Sequence, residues 1–287
     1  MENLVLYKQM PVWTAETLPD AVKRQHNTKV GTWGKLTIFK GRLKFIELTE
    51  DGQTLAEHIF EPGVETPFVQ PQAWHRVEAL TSDLECQLAF YCQEKDYVTK
   101  KYNLTATHSE VVEAVESIAP CKVLDLGCGQ GRNSLFLAKR GFEVTAVDTN
   151  ELSLQLLMKM AAEEGLDFPI GSYDINQAAL SQDYDWILST VVFMFLNREQ
   201  IPAIIHNMQE HTRVGGYNLI VCAMDTAAYP CPMPFSFTFK EGELKDYYKD
   251  WDLVKYNENV GHLHKVDSEG NRIQLQFATM LARKVEN

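Results

Sequence analysis

The stretch Val123-Leu-Asp125-Leu-Gly127-Cys-Gly129-Gln-Gly131-Arg-Asn-Ser134 decides how the chain is read. A short apolar run meets three glycines at alternate positions and passes into a segment of helix-forming residues. Glycine is needed where backbone turns sharply or where a ligand must touch the main chain. Asp125, at the end of the run, can orient the loop or meet a ligand's ammonium group. A dinucleotide fingerprint, GxGxxG, would bring a pyrophosphate to the helix N-terminus. Counted from Gly127, its third glycine would stand where the chain has Arg132, but the glycine comes one residue earlier, at Gly131. That spacing disfavours a dehydrogenase.

Outward from the loop, strand and helix signals alternate. Residues 109–118 have helical spacing, with Val111, Val112, Val115 and Ile118 on one face and Ser109 as the cap. Strands are predicted at 122–126, 143–147, 186–189 and 217–224, and helices at 132–139, 151–164 and 200–211. Such alternation predicts a doubly wound α/β sheet. Asp148 closes the second strand, where an acid is placed to accept both hydroxyls of a ribose.

Residues 1–92 have another texture. Short runs with alternating apolar residues, 35–39, 43–48 and 84–91, are separated by Gly41-Arg42, Asp51-Gly52, Glu61-Pro62-Gly63 and Gln70-Pro71-Gln72. They predict a small all-β sandwich or barrel. A polar stretch at 93–101 follows, so the expected domains are 1–92 and 93–287.

The 287 residues are 45% hydrophobic and 23% charged, enough for a core of ordinary size. A net charge of −12 disfavours nucleic acid as the main partner, because phosphate contacts need clustered Lys and Arg. No apolar run reaches the roughly 18 residues of a membrane-spanning helix. Met1 to Lys8 carry no charged segment followed by an apolar core. The six cysteines show no CxxC and no zinc-like spacing. Reduced thiols in a cytoplasmic protein without membrane or nucleic-acid partners are therefore expected.

The pattern acid-x-G-x-G-x-G resembles motif I of the class I methyltransferases, whose loop curls around the methionine part of S-adenosyl-L-methionine. The resemblance implies a Rossmann-like domain with a mostly parallel seven-stranded sheet. It implies that Gly127 and Gly129 line the cofactor and that Asp174, in Gly171-Ser-Tyr-Asp174-Ile, meets the adenine amino group. Asp183-Tyr-Asp185-Trp-Ile-Leu-Ser-Thr190 matches the family's fourth strand, whose C-terminal end lines the cofactor cleft. Gly215-Gly216 matches the turn before the fifth strand. Arg132 and Asn133 either contact the cofactor carboxylate or are exposed first-turn residues.

Further stretches narrow the likeness. Lys101-Tyr-Asn-Leu-Thr-Ala-Thr-His-Ser109, Leu124 to Ser134, Leu188-Ser-Thr-Val-Val192, Gly215-Gly-Tyr-Asn-Leu-Ile-Val221 and Phe277-Ala-Thr-Met-Leu-Ala-Arg283 resemble the TehB family of tellurite-resistance methyltransferases. The likeness is to its longer form, with an N-terminal cupin-like domain, and it is strongest from about residue 97 onward. It implies methyl transfer to tellurite or selenite, with S-adenosyl-L-homocysteine as product. It places His264 and Arg272 at the family's catalytic His and Arg, and Tyr102 over the methionine end. Lys265 stands where relatives can carry a second Arg, which keeps the charge but loses the bidentate fork.

Plainer readings stand beside these. The 267–271 composition, Asp-Ser-Glu-Gly-Asn, suits a hairpin tip. Cys128 at a helix start is read as a small filler, and Cys231, in a proline-rich loop, as structural or as a chalcogen contact. His26, His58 and His75 lack the two-His-then-Glu order of metal-binding cupins, so no metal is expected. Methylation of a thiol or other organic acceptor, or a non-catalytic cofactor sensor, are the competing functions. The sequence is compatible with a homo-oligomer.

Overall fold

The computed structural model describes residues 4–286. The chain divides into two compact units, Met1–Ala106 and Thr107–Asn287.

The first unit is built from β1 (Leu4–Gln9), β2 (Trp13–Thr14), the short α1 (Asp20–Lys23), β3 (Trp33–Lys40), β4 (Leu43–Leu48), β5 (Thr54–Phe60), β6 (His75–Ala79), β7 (Glu85–Gln93) and α2 (Tyr97–Tyr102). All its ladders are antiparallel: β7 pairs with β1, β2 and β3, and β4 lies between β5 and β6. Alternation along β3 and β4 turns Leu36, Ile38, Leu43 and Phe45 inward onto Trp13, Leu18, Phe60, Val77, Leu84 and Cys86.

The second unit contains α3 (Ser109–Ala114), β8 (Lys122–Leu126), α4 (Arg132–Lys139), β9 (Glu143–Asp148), α5 (Glu151–Glu163), β10 (Ile170–Ser172), β11 (Tyr184–Thr190), α6 (Ile201–Glu210), β12 (Thr212–Ala223), α7 (Glu243–Tyr247), β13 (Asp252–Val266) and β14 (Arg272–Arg283). They form the doubly wound sheet that the alternation predicts, with the seven strands that the resemblance implies, in the order β10-β9-β8-β11-β12-β14-β13. β8 to β12 are mutually parallel, while β14 runs antiparallel to both β12 and β13. Strands covered on both faces read as unbroken apolar runs, as in β8 and β11, where Val123, Leu124, Trp186, Ile187 and Leu188 are buried.

The strand order reverses at β8, which pairs β9 on one side and β11 on the other. Ligands of such sheets bind beyond the carboxyl ends of the strands at that reversal. The β13–β14 hairpin reaches the same edge. Phe277 pairs Ala223 at the end of β12, and Arg272 lies five residues further out on β14. At roughly 3.3 Å per residue, the hairpin end projects about 16 Å past the edge.

One local expectation is corrected. The cap of α3 is His108, not Ser109: the His108 ring nitrogen accepts the Glu110 N–H at 3.3 Å. No helix among the described residues is long and apolar enough to cross a membrane.

Candidate active site

The glycine loop closes because its alternate residues take left-handed backbone. Gly127 has φ 85° and Gly131 has φ 81°. A Cβ on Gly127 would lie 2.6 Å from the Val192 methyls, and one on Gly131 would enter the Leu157 side chain. Gly129 differs, since a Cβ there meets nothing within 4 Å. The middle of the loop is therefore open while both shoulders are packed. The amides of Gly127 and Cys128 both donate to Val147 O at 2.9 Å, tying the loop to the end of β9.

Asp125 lies beneath the loop and is 1% exposed. Ser134 Oγ donates to its Oδ2 at 2.6 Å, which fixes the carboxyl against the first turn of α4. Burial pushes the Asp125 carboxyl up to about 6. The Ser134 hydrogen bond and the Arg132 charge oppose that rise, and the Asp148 charge adds to it. Arg132 is half-buried, and desolvation lowers its guanidinium pKa against the pull of Asp125. A cation brought beside a desolvated carboxyl of this kind would favour its ionised form.

Asp148, the last residue of β9, accepts Gly129 N–H on Oδ2 and Asn150 N–H on Oδ1, both at 2.8 Å. Each carboxylate oxygen retains a second lone pair. Asp174 follows β10 and is held near Asp148 by Tyr173 N–H, which donates to Asp148 O at 3.1 Å. Asp174 Oδ1 takes both the backbone and side-chain N–H of Asn176 at 3.0 Å.

Asn133 and Thr190 turn to each other. Asn133 Nδ2 donates to Thr190 Oγ1 at 3.0 Å, and its Oδ1 accepts His108 N–H at 3.0 Å. Thr107 Oγ donates to Arg132 O at 3.1 Å. Segment 107–108 is thereby tied to the start of α4, a role no local sequence signal announces. The next residue after Thr190, Val191, has φ 60°, a conformation that β-branched residues avoid and that gathers at functional sites. Tyr102 ends α2 in the first unit, with Lys101 Nζ 5.3 Å from its ring centre.

Arg272 begins β14. Its Nε donates to Leu263 O at 2.9 Å and its Nη2 to His262 O at 3.3 Å. It borders a cleft of about 830 Å³ with Pro232, Met233, His262, Asp267, Asn271, Ile273 and Gln274. The Gln274 amide donates to His262 Nε2 at 3.0 Å, and Tyr229 OH donates to Gln274 Oε1 at 3.1 Å. His262, Gln274 and Tyr229 were not legible as neighbours, because a hairpin register and a loop bring them together. Residues 267–271 form the turn, with Asp267 Oδ1 accepting the N–H groups of Glu269 and Asn271 at 2.9 Å. The backbone of His264 and Lys265 lies in β13; their side chains are outside the described set.

The thiols are quiet. Burial, reinforced by Asp125 and Asp148, raises the Cys128 thiol far above its ordinary value. Cys231 Sγ donates to Met233 O at 3.6 Å. All six cysteines are free, and among the described residues no group of three metal-ligating side chains is placed to hold an ion.

An open glycine loop, a buried acid suited to an ammonium, and carboxylates ending the second and third strands fit the ammonium, ribose and adenine of S-adenosylmethionine. This fold and site define the class I methyltransferases. The family profile described as "Tellurite resistance protein TehB" matches residues 90–281, and one described as "TehB-like domain" matches residues 8–88. The chain belongs to the TehB family and is an S-adenosylmethionine-dependent methyltransferase. It is 63% identical over 285 residues to the "Probable S-adenosyl-L-methionine-dependent methyltransferase TehB" of Haemophilus influenzae, covering 99% of this chain and 100% of that one. It is 56% identical over 238 residues to a protein of Eikenella corrodens named "Hemagglutinin 1", covering 83% of this chain and 79% of that one. A crystal structure of TehB from Haemophilus influenzae superposes with a TM-score of 0.95 over 98% of both chains, at 63% identity.

Proposed function

We propose that the enzyme methylates a chalcogen oxyanion, tellurite or selenite, and that this underlies tellurite resistance in the cytoplasm. The observation that carries the reading is the β13–β14 hairpin, whose Arg272 stands beyond the carboxyl edge of the sheet on the side where the glycine loop opens.

S-adenosylmethionine supplies an electrophilic methyl on a sulfonium, and the acceptor's chalcogen lone pair takes that methyl as the C–S bond breaks. The chalcogen atom that takes the methyl carries no proton, so alignment and anion binding are the protein's main tasks. Asp125 receives the cofactor ammonium, Asp148 the ribose hydroxyls and Asp174 the adenine amine. Gly127 and Gly129 let the loop touch the methionine portion, with Arg132 near its carboxylate. Asn133 and Thr190 brace the loop against β11. Arg272 and His264 hold the oxyanion, in a catalytic domain that follows a cupin-like one.

Arg272→Ala and His264→Ala test this directly. Each is expected to lower selenite-dependent release of S-adenosylhomocysteine on the order of 100-fold, as loss of an oxyanion donor does, with cofactor affinity kept within about twofold. Turnover that survives both substitutions rejects the assignment.

A further inference from the structure

The first unit encloses a cavity of about 530 Å³, a volume typical of small-molecule sites. Its walls include Trp13, Leu36, Phe45, Val77, Leu88 and Phe90. Against this apolar lining stand two imidazoles, His26 and His75, with ring centres 4.1 Å apart.

Their tautomers follow from the backbone. His75 Nδ1 lies 2.8 Å from Ala73 O and His26 Nδ1 lies 2.9 Å from Arg24 O. A carbonyl only accepts, so each Nδ1 carries the hydrogen. In a neutral ring, Nε2 then presents a lone pair. His75 is 7% exposed and stacks on Phe45 with ring centres 5.0 Å apart. Burial pulls its pKa down to about 4, which keeps it neutral. No protein hydrogen bond reaches either Nε2 among the described residues. Two acceptors with no protein donor, both on the lining of an apolar cavity, are free to take a hydrogen bond from a ligand that donates.

Charge narrows the class. Lys8, Lys29 and Lys100 also border the cavity, and among the described residues no Asp or Glu does, although the chain's net charge is −12. Lys100 Nζ donates to Val30 O at 2.6 Å. Among the described residues no three ligating side chains gather to hold a metal.

We propose that this cavity binds an amphipathic organic anion with an apolar body, one O–H or N–H donor for the paired histidines, and an acidic group for the lysines. The site is independent of the methyl-transfer chemistry.

The probe is 1-anilinonaphthalene-8-sulfonate, which combines an apolar ring system, an N–H and a sulfonate. It is titrated by fluorescence into the full chain with saturating S-adenosylhomocysteine present. One stoichiometric site is expected, weakened about fivefold by His75→Phe, the scale of one hydrogen bond. The surface substitution Lys29→Glu is expected to weaken it several-fold, less so at high salt. Leu88→Trp, which fills the cavity, is expected to abolish it. No binding, or binding indifferent to Lys29→Glu and Leu88→Trp in proteins that melt as the parent does, overturns the proposal. So does zinc binding that His75→Phe removes, because the pair is then a metal site.

Discussion

Burial raises the Asp125 carboxyl to about 6, so at pH 7 the unliganded protein holds a carboxylate where charge is disfavoured. Because the folded value lies above the ordinary 3.8, this group's contribution to stability is full below about 3.8 and is lost as pH rises through about 6. A cofactor ammonium reverses the penalty. Affinity for S-adenosylhomocysteine is expected to rise with pH up to about 6 and then to level off. Asp125→Asn should abolish that inflection and weaken binding about 10- to 100-fold, the worth of hydrogen bonds to a charged group. The unliganded variant should melt no lower than the parent at neutral pH, since it removes a buried charge. Calorimetry across the acid range and thermal melting read both effects. The positions of Asp125 and Asp148 at the ends of neighbouring strands were legible because strand ends are local features. The bonds from Ser134 to Asp125 and from Asn133 to Thr190 were not, because each depends on which face of α4 meets the sheet, at β8 just before it in one case and at the distant β11 in the other.

At the scale of the element, the three glycines of the loop have separable roles. Gly127→Ala and Gly131→Ala force a Cβ into Val192 and Leu157 at left-handed φ, so each is expected to cost about 1–3 kcal/mol of stability. Gly129→Ala has open space around it. It should cost about 1 kcal/mol for its positive φ but lose cofactor affinity, because the new methyl stands where the ligand meets the main chain. Urea unfolding beside calorimetric titration of the three variants distinguishes the cases; equal stability losses would contradict the packing account. The sequence placed β8, α4 and β9 nearly to the residue, because the Gly-rich turn punctuates them. It put the cap of α3 at Ser109, where the expected residue type sits, whereas the chain uses the His108 ring one position earlier.

At the scale of the molecule, texture told the all-β part from the alternating part, and the glycine spacing distinguished the methyltransferase loop from a dinucleotide fold. What was not legible is how far the β13–β14 hairpin reaches past the sheet, since length beyond an edge depends on tertiary register. Stability and site should also separate at this scale. Tyr248 OH donates to Asn218 Oδ1 at 2.8 Å, and Asn218 Nδ2 donates to Thr212 Oγ1 at 2.7 Å, all fully buried. Tyr248→Phe is expected to cost about 1–3 kcal/mol in urea unfolding, as an acceptor left unmet does, while cofactor affinity stays unchanged. Methyl transfer to a chalcogen oxyanion is tested by chromatographic detection of the S-adenosylhomocysteine that the full chain releases when offered tellurite, selenite or an organic thiol. Release that requires tellurite or selenite and falls with Arg272→Ala is the result predicted. Release that requires the thiol and ignores both oxyanions, or no release with any acceptor from protein that binds the cofactor, would contradict it.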